Sequence, residues 1–287
     1  MEKNNKENII RVDLKKIIRS RPEWYLKYMP GFAIEFLKRL VKEDEINEAL
    51  RKIGHLKNFD FIEAAIKELQ LKIIVMGEEN IPRHSHVIFV GNHALGGPDF
   101  FALMYVLKKR YSKVNHLTND VLMGFNQLSD FFIPVNVFGK NPEKYKKILV
   151  ERLEKSDAPV TIFPSGQVAR YINGKWDDGL WRSGFVRFAK KYRKTVVPFF
   201  IPTRNSRAFY RVHRIRKMLG IPLNLELFLL PREMFKKRNQ SIEIIFGQPI
   251  PPDFFTDEKS VHQWSDTVKK MTYALGQENP ESRHDDR

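Results

Sequence analysis

The stretch Phe89-Val-Gly-Asn-His-Ala-Leu-Gly-Gly-Pro-Asp99 holds residue types and a spacing suited to proton transfer. An apolar run ends, His93 follows, two glycines permit a sharp turn, and Asp99 stands where a helix would begin. An aspartate that accepts a hydrogen bond from one imidazole nitrogen fixes the tautomer and raises the basicity of the other. The free nitrogen can then take a proton from an alcohol, which is general-base catalysis. Taken singly, each residue has an ordinary explanation. A histidine at a strand end bonds backbone, and an aspartate in a first helical turn complements the helix dipole. From the residues alone both readings stand: two ordinary structural residues, or a base and the carboxylate that orients it across a glycine-containing turn.

Such a pair needs a rigid frame, and the hydrophobic rhythm of the chain predicts one. Residues 1–70 read as a helical preface, with Ile34, Phe36, Leu37, Leu40 and Val41 at helical spacing and a second such pattern over 60–69. Pro22 and Pro30 break the preface into short pieces. Its aromatic residues, Trp24, Tyr25, Tyr28, Phe32 and Phe36, suit a membrane interface or packing on the sheet. From residue 71 short β-branched runs alternate with helical patterns. Strands are expected at 71–76, 87–90, 114–117, 132–135, 160–163, 195–201, 225–230 and 242–246. Helices are expected at 98–110, 143–155, 183–192 and 207–219. This alternation predicts an α/β fold, a mixed but mostly parallel sheet flanked by helices. In that architecture sites lie where strands end and helices begin. The expected division is a preface over 1–70, an α/β core over 71–255, and a C-terminal helix with a polar tail over 256–287.

The Asn92-His93…Asp99 segment resembles the first motif of the glycerolipid and lysophospholipid acyltransferases. Four more blocks fall in that family's order: Phe131-Phe-Ile-Pro-Val-Asn136, Ile162-Phe-Pro-Ser-Gly166, Val196-Val-Pro-Phe-Phe200 and Phe246-Gly-Gln-Pro-Ile250. The resemblance covers residues 70–252. It implies a membrane-associated O-acyltransferase that moves a fatty acyl chain from an acyl thioester to a hydroxyl of a lyso-lipid. The thioester would be acyl carrier protein or coenzyme A as co-substrate, with no bound cofactor. His93 would be the base and Asp99 its orienting carboxylate. Asn92, Gly96, Gly97, Asn136, Lys140, Pro164, Ser165, Gly166, Arg170 and Arg204 would contact acceptor or acyl chain. Backbone amides near Gly96–Gly97 or Pro164–Gly166 would be candidates to hold the oxyanion.

Three departures from the family pattern bear on the acceptor. Five residues separate His93 from Asp99, where four are usual, and the glycines could absorb the extra one. The arginines that in the family grip the acceptor phosphate are replaced by Asn136 and Val168, and Ser165 replaces a glutamate. Arg170 is the nearest arginine to the third block, two places late. A glycine-rich spacer of this kind resembles a branch containing hemolysin-like proteins and lyso-ornithine or amino-acid lipid acyltransferases. A head group without phosphate is therefore expected. The alternatives are an ordinary lysophosphatidic acid acyltransferase, a thioesterase-like hydrolase and a non-catalytic membrane-binding protein.

Composition sets outer bounds. Fifty Lys and Arg against 34 Asp and Glu give a formal charge of +16, which attracts polyanions. Over 204–217, Arg207, Arg211 and Arg214 stand among further bases and apolar residues, a pattern that fits an anionic membrane or an acidic acyl carrier protein. No nucleic-acid signature accompanies it. There is no cysteine, hence no disulfide or thiolate chemistry, and no metal-ligand spacing is present. No apolar run approaches a bilayer span and no signal peptide is visible. The expectation is a cytoplasmic protein, peripheral on the inner face of the membrane.

Overall fold

The computed structural model describes residues 11–19, 28–136, 142–172, 174–221 and 224–278. Trp24, Tyr25, Lys140 and the expected polar tail lie outside them. The preface is helical: α1 (Leu14–Arg19), α2 (Gly31–Val41), α3 (Glu43–Ile53) and α4 (Asn58–Glu68). Three acidic residues open α3, the sign that suits a helix N-terminus. Leu14, Ile18 and Val41 form a small apolar cluster between preface helices, with Met29 and Leu37 against it.

The α/β part follows as β1 (Lys72–Met76), β2 (Val87–Gly91), α5 (Gly97–Leu107), β3 (Asn115–Asn119), β4 (Phe132–Val135), α6 (Glu143–Glu154), β5 (Val160–Ile162), β6 (Arg170–Ile172), β7 (Lys175–Asp177), α7 (Gly184–Tyr192), β8 (Thr195–Phe200), α8 (Arg207–Met218), α9 (Leu230–Lys236), β9 (Ser241–Phe246) and α10 (Val261–Glu278). Seven strands make one sheet in the order β1-β9-β8-β2-β5-β3-β4. All its pairs are parallel except β8 with β9. This is the mixed, mostly parallel sheet that the sequence implies.

Successive side chains of a strand point to opposite faces, and β2 shows the consequence. Val87 and Phe89 enter the core beneath α4 and α5, whereas Ile88 and Val90 enter the one beneath α7 and α10. Both faces are covered, which explains why β2 is buried at every position.

Two elements depart from the sequence reading. Residues 225–230 are not a strand. They form a 3-10 helix, Leu225–Leu229, that runs directly into α9. Glu226 and Leu229, three apart, are its buried residues, which is the 3-10 period. Pro231 sits in the first turn of α9, where a missing N–H is harmless. A short apolar run does not distinguish strand from helix by periodicity. The second departure is an antiparallel hairpin, β6 with β7, after the third block. Its sequence signal is Asn173-Gly174, and Gly174 turns at φ +78°.

Candidate active site

The site begins where β2 stops. Gly91 lies against Phe199 of β8, and a Cβ there would collide with the phenyl ring. Asn92 then spans from the end of β2 to the end of β8. Its Nδ2 donates to the Ile201 carbonyl at 2.9 Å, and its Oδ1 accepts the Ile201 N–H at 2.8 Å. The sequence reading put Asn92 among the substrate-binding groups. The structure instead commits its amide to clamping two strand ends, and the side chain is buried.

From this anchor the loop swings His93 onto Asp99. The imidazole Nδ1 stands 2.9 Å from Asp99 Oδ2. The same oxygen accepts the N–H groups of Leu95 at 2.8 Å and Gly96 at 3.1 Å. Gly96 has φ +97°, a region that favours glycine, and this turn absorbs the extra residue of the spacer. Gly97 opens α5, and Asp99 lies in its first turn with no exposure. A fully buried carboxylate holding three donors is an acceptor, so Nδ1 carries the proton and Nε2 is the basic nitrogen. The His93 side chain remains 20% exposed, which keeps the ring within reach of a substrate.

The third block supplies a wall. The Phe163 ring stacks on His93 at 4.3 Å between centroids, 17° from parallel. Behind the loop, the His93 N–H donates to Asp178 Oδ2 at 3.3 Å and the His93 carbonyl accepts from Ala169 N–H at 2.6 Å. Asp178 is buried and also accepts from Tyr273 Oη at 2.8 Å and Trp181 Nε1 at 3.0 Å. Burial pushes its carboxyl above the ordinary value, and those donors oppose the shift. Nothing in Lys175-Trp-Asp-Asp-Gly179 marked this residue, because two of its partners come from far along the chain, Tyr273 in α10 and the backbone of the base itself.

His116 of β3 is a second residue that the sequence reading missed. Its Nδ1 lies 2.7 Å from Thr161 Oγ1, whose hydroxyl donates to the Asn115 carbonyl at 3.3 Å. The ring sits 4.7 Å from Phe100 and 5.5 Å from Phe163. Burial, and then the nearby His93, push its pKa down to about 3, so it is neutral near pH 7.

The remaining expected residues divide sharply. Pro164, Ser165 and Gly166 form the turn after β5. Gly166 N–H already donates to the Phe163 carbonyl at 3.0 Å, and Gly96 N–H is held by Asp99. Proline has no N–H. Of the amides expected to hold an oxyanion, those of Gly97 and Ser165 are left without a bond among the described residues. Asn136 is half-buried at the end of β4, the last residue described before Lys140.

Arg170 is buried and turned to a carboxylate of the protein itself. Its Nε and Nη2 reach Glu226 Oε1 at 3.2 and 3.1 Å, and Nη1 donates to the Val168 carbonyl. Arg216, expected on the basic face of its helix, also turns inward, with Nε 2.9 Å from Glu226 Oε2. His213 Nδ1 joins the same carboxylate at 3.1 Å. Glu226 is fully buried; burial pushes its carboxyl up, but its own backbone N–H, His213 and Arg170 outweigh that and hold it below its ordinary value. Arg204, Arg207, Arg211 and Arg214 are exposed, the last three along α8. The Arg204 guanidinium lies 4.7 Å over the Trp176 ring.

Residues 17–280 match the profile of a family described as acyltransferase. This chain belongs to the acyltransferase family. Two relatives are similar over almost their whole length, and both are called lyso-glycine lipid O-acyltransferase. The protein of Bacteroides thetaiotaomicron is 37% identical over 94% of this chain and 99% of its own. That of Phocaeicola vulgatus is 35% identical over 96% and 100%. Among solved structures, the 1-acyl-sn-glycerophosphate acyltransferase PlsC of Thermotoga maritima matches at 14% identity and a TM-score of 0.45, covering 88% of this chain and 98% of that one. The acyltransferase takes an acyl donor as co-substrate. Among the described residues no helix is long and apolar enough to cross a membrane.

Proposed function

We propose that this acyltransferase moves a fatty acyl chain from an acyl thioester of acyl carrier protein or coenzyme A to the free hydroxyl of a lyso-glycine lipid or a similar amino-acid lyso-lipid. The observation that carries the chemistry is the 2.9 Å contact of His93 Nδ1 with the buried Asp99, which leaves Nε2 as the base. Nε2 removes the hydroxyl proton as the oxygen attacks the thioester carbonyl. The tetrahedral intermediate collapses, the thiolate leaves, and the imidazolium returns the proton to it. No acyl-enzyme is required. Gly97 and Ser165 N–H are the donors proposed for the oxyanion.

The head group follows from what the usual phosphate positions hold. Asn136 is neutral. Val168 is buried against Phe209 and Leu229. Arg170, the nearest substitute, is committed to Glu226. A phosphate placed there would lose its hydration without gaining a cation. The names of the two relatives support the same reading.

The acceptor is a lipid, so the reading includes a membrane face. Tyr28, Phe32 and Phe36 recur every four residues and are 80, 80 and 65% exposed. Leu40 of α2 and Val212 of α8 border one apolar cluster, so the helix that carries Phe32 and Phe36 and the helix that carries the exposed Arg207, Arg211 and Arg214 both reach it. Aromatics at the headgroup level and arginines on anionic lipid fit a peripheral protein on the inner face of the membrane.

The test offers lyso-glycine lipid and lysophosphatidic acid at equal concentration with one acyl thioester. Higher catalytic efficiency with lyso-glycine lipid is expected. A clear preference for lysophosphatidic acid would overturn the head-group assignment, and thioester loss without acylated lipid would replace transfer by hydrolysis.

A further inference from the structure

Three separate elements meet around Trp176. Its ring lies 4.6 Å from Tyr171 of the same hairpin and 4.3 Å from Tyr210 of α8, and the Arg204 guanidinium covers it at 4.7 Å. The assembly is tied to the base. Tyr210 Oη accepts the Asn205 N–H at 3.0 Å, and Asn205 Nδ2 donates to the carbonyl of Ala94, the residue after His93, at 3.3 Å. Arg204 is therefore the chain neighbour of a residue that touches the catalytic loop.

A guanidinium whose carbon lies 4.7 Å over an indole centroid is held by the attraction of its charge for the ring face, and its N–H donors directed away from the ring can take a carboxylate in a fork. Among the described residues no carboxylate pairs with Arg204, in contrast to Arg170 and Arg216. We propose that Arg204, seated on Trp176, receives the carboxylate of the acceptor's head group. This rests on the amino-acid lyso-lipid reading: glycine joined to a fatty chain through its amine presents one carboxylate. Charge matching favours that ligand over phosphate. A single guanidinium balances a monoanion, whereas a phosphate monoester carries about −1.5 to −2 near pH 7.

The experiment compares lyso-glycine lipid with its methyl ester, which keeps the shape and removes the charge. Wild type is expected to prefer the acid by about tenfold in kcat/KM, as for one charge-assisted forked pair. In Arg204→Gln the acid-to-ester ratio should fall toward one, chiefly through KM. Arg204→Lys, which keeps the charge but not the fork, should lie between, and it decides the question if the glutamine variant fails to fold. An acid-to-ester ratio unchanged in the variants, with wild type still acylating lyso-glycine lipid, overturns the role of Arg204 and leaves the proposed function standing. Failure of wild type to acylate lyso-glycine lipid while it acylates lysophosphatidic acid removes both.

Discussion

Replacing Glu226 by Gln tests whether Arg170 is part of the frame or part of the acceptor site. Glu226 has no exposure and faces Arg170, Arg216 and His213 within 2.9–3.2 Å. The side chains of both arginines are nearly enclosed, at 9 and 6% exposure. Glutamine keeps the shape but removes the negative charge that pairs with two guanidinium groups, and its amide turns donors toward donors. Each close pair is worth about 4 kcal/mol of attraction at 4 Å with an effective dielectric near 20. Removing one partner of a buried pair costs about 3–5 kcal/mol. For a chain of this size about 4 kcal/mol corresponds to a melting point lower by roughly 8–16 °C. Arg170→Met should be milder, at about 1–3 kcal/mol, because Arg216 still balances Glu226. Thermal and urea unfolding measure both, and the ratio of activity on lyso-glycine lipid to that on lysophosphatidic acid should not move in Arg170→Met. A Glu226→Gln protein within about 1 kcal/mol of wild type refutes the reasoning. So does an Arg170→Met protein of normal stability with a selectively raised KM for the phosphate acceptor.

Two further expectations concern pH and the membrane. The folded pKa of His116, about 3 against an ordinary 6.5, lets the unfolded chain take up a proton that the native protein refuses. Its contribution is therefore fully present above pH 6.5 and is lost as pH falls toward 3, at up to about 1.4 kcal/mol per pH unit. His116→Gln should flatten urea midpoints between pH 6 and 4, and an unchanged slope counts against it. Neutralising Arg207, Arg211 and Arg214 together should weaken binding to anionic vesicles at low salt, whereas Phe32→Ser with Phe36→Ser should weaken it at all salt concentrations, because only the first is screened. Vesicle cosedimentation that is unaltered in both variants removes this face from the membrane contact.

Local pattern made much of the frame legible. Strands 132–135 and 87–91 and helix 184–192 carry their own periodicity, and the His93–Asp99 pair lies within seven residues, so the sequence displays it. What stayed hidden depends on partners far along the chain. Arg170 looks like a displaced phosphate ligand until Glu226, 56 positions later, is seen to occupy it. Asp178 meets Tyr273 across 95 positions, and His116 meets Thr161 across 45. The run 225–230 misled for a different reason. Its leucines serve a strand or a helix equally well, and only the burial of Glu226 with Leu229 decides between them. The hairpin was readable in principle from Asn173-Gly174, a signal overshadowed by the family block just before it.

The central claim is that His93, oriented by Asp99, is the base for acyl transfer. Its most direct measurement is the transfer rate of His93→Ala against wild type, following released thiol and acylated lipid together, with unfolding curves showing that the variant folds. General-base removal predicts a fall of about 10²–10⁴ in both signals, with Asp99→Asn slowed but folded. A His93→Ala protein that folds normally and acylates its acceptor at near wild-type rate would contradict the account.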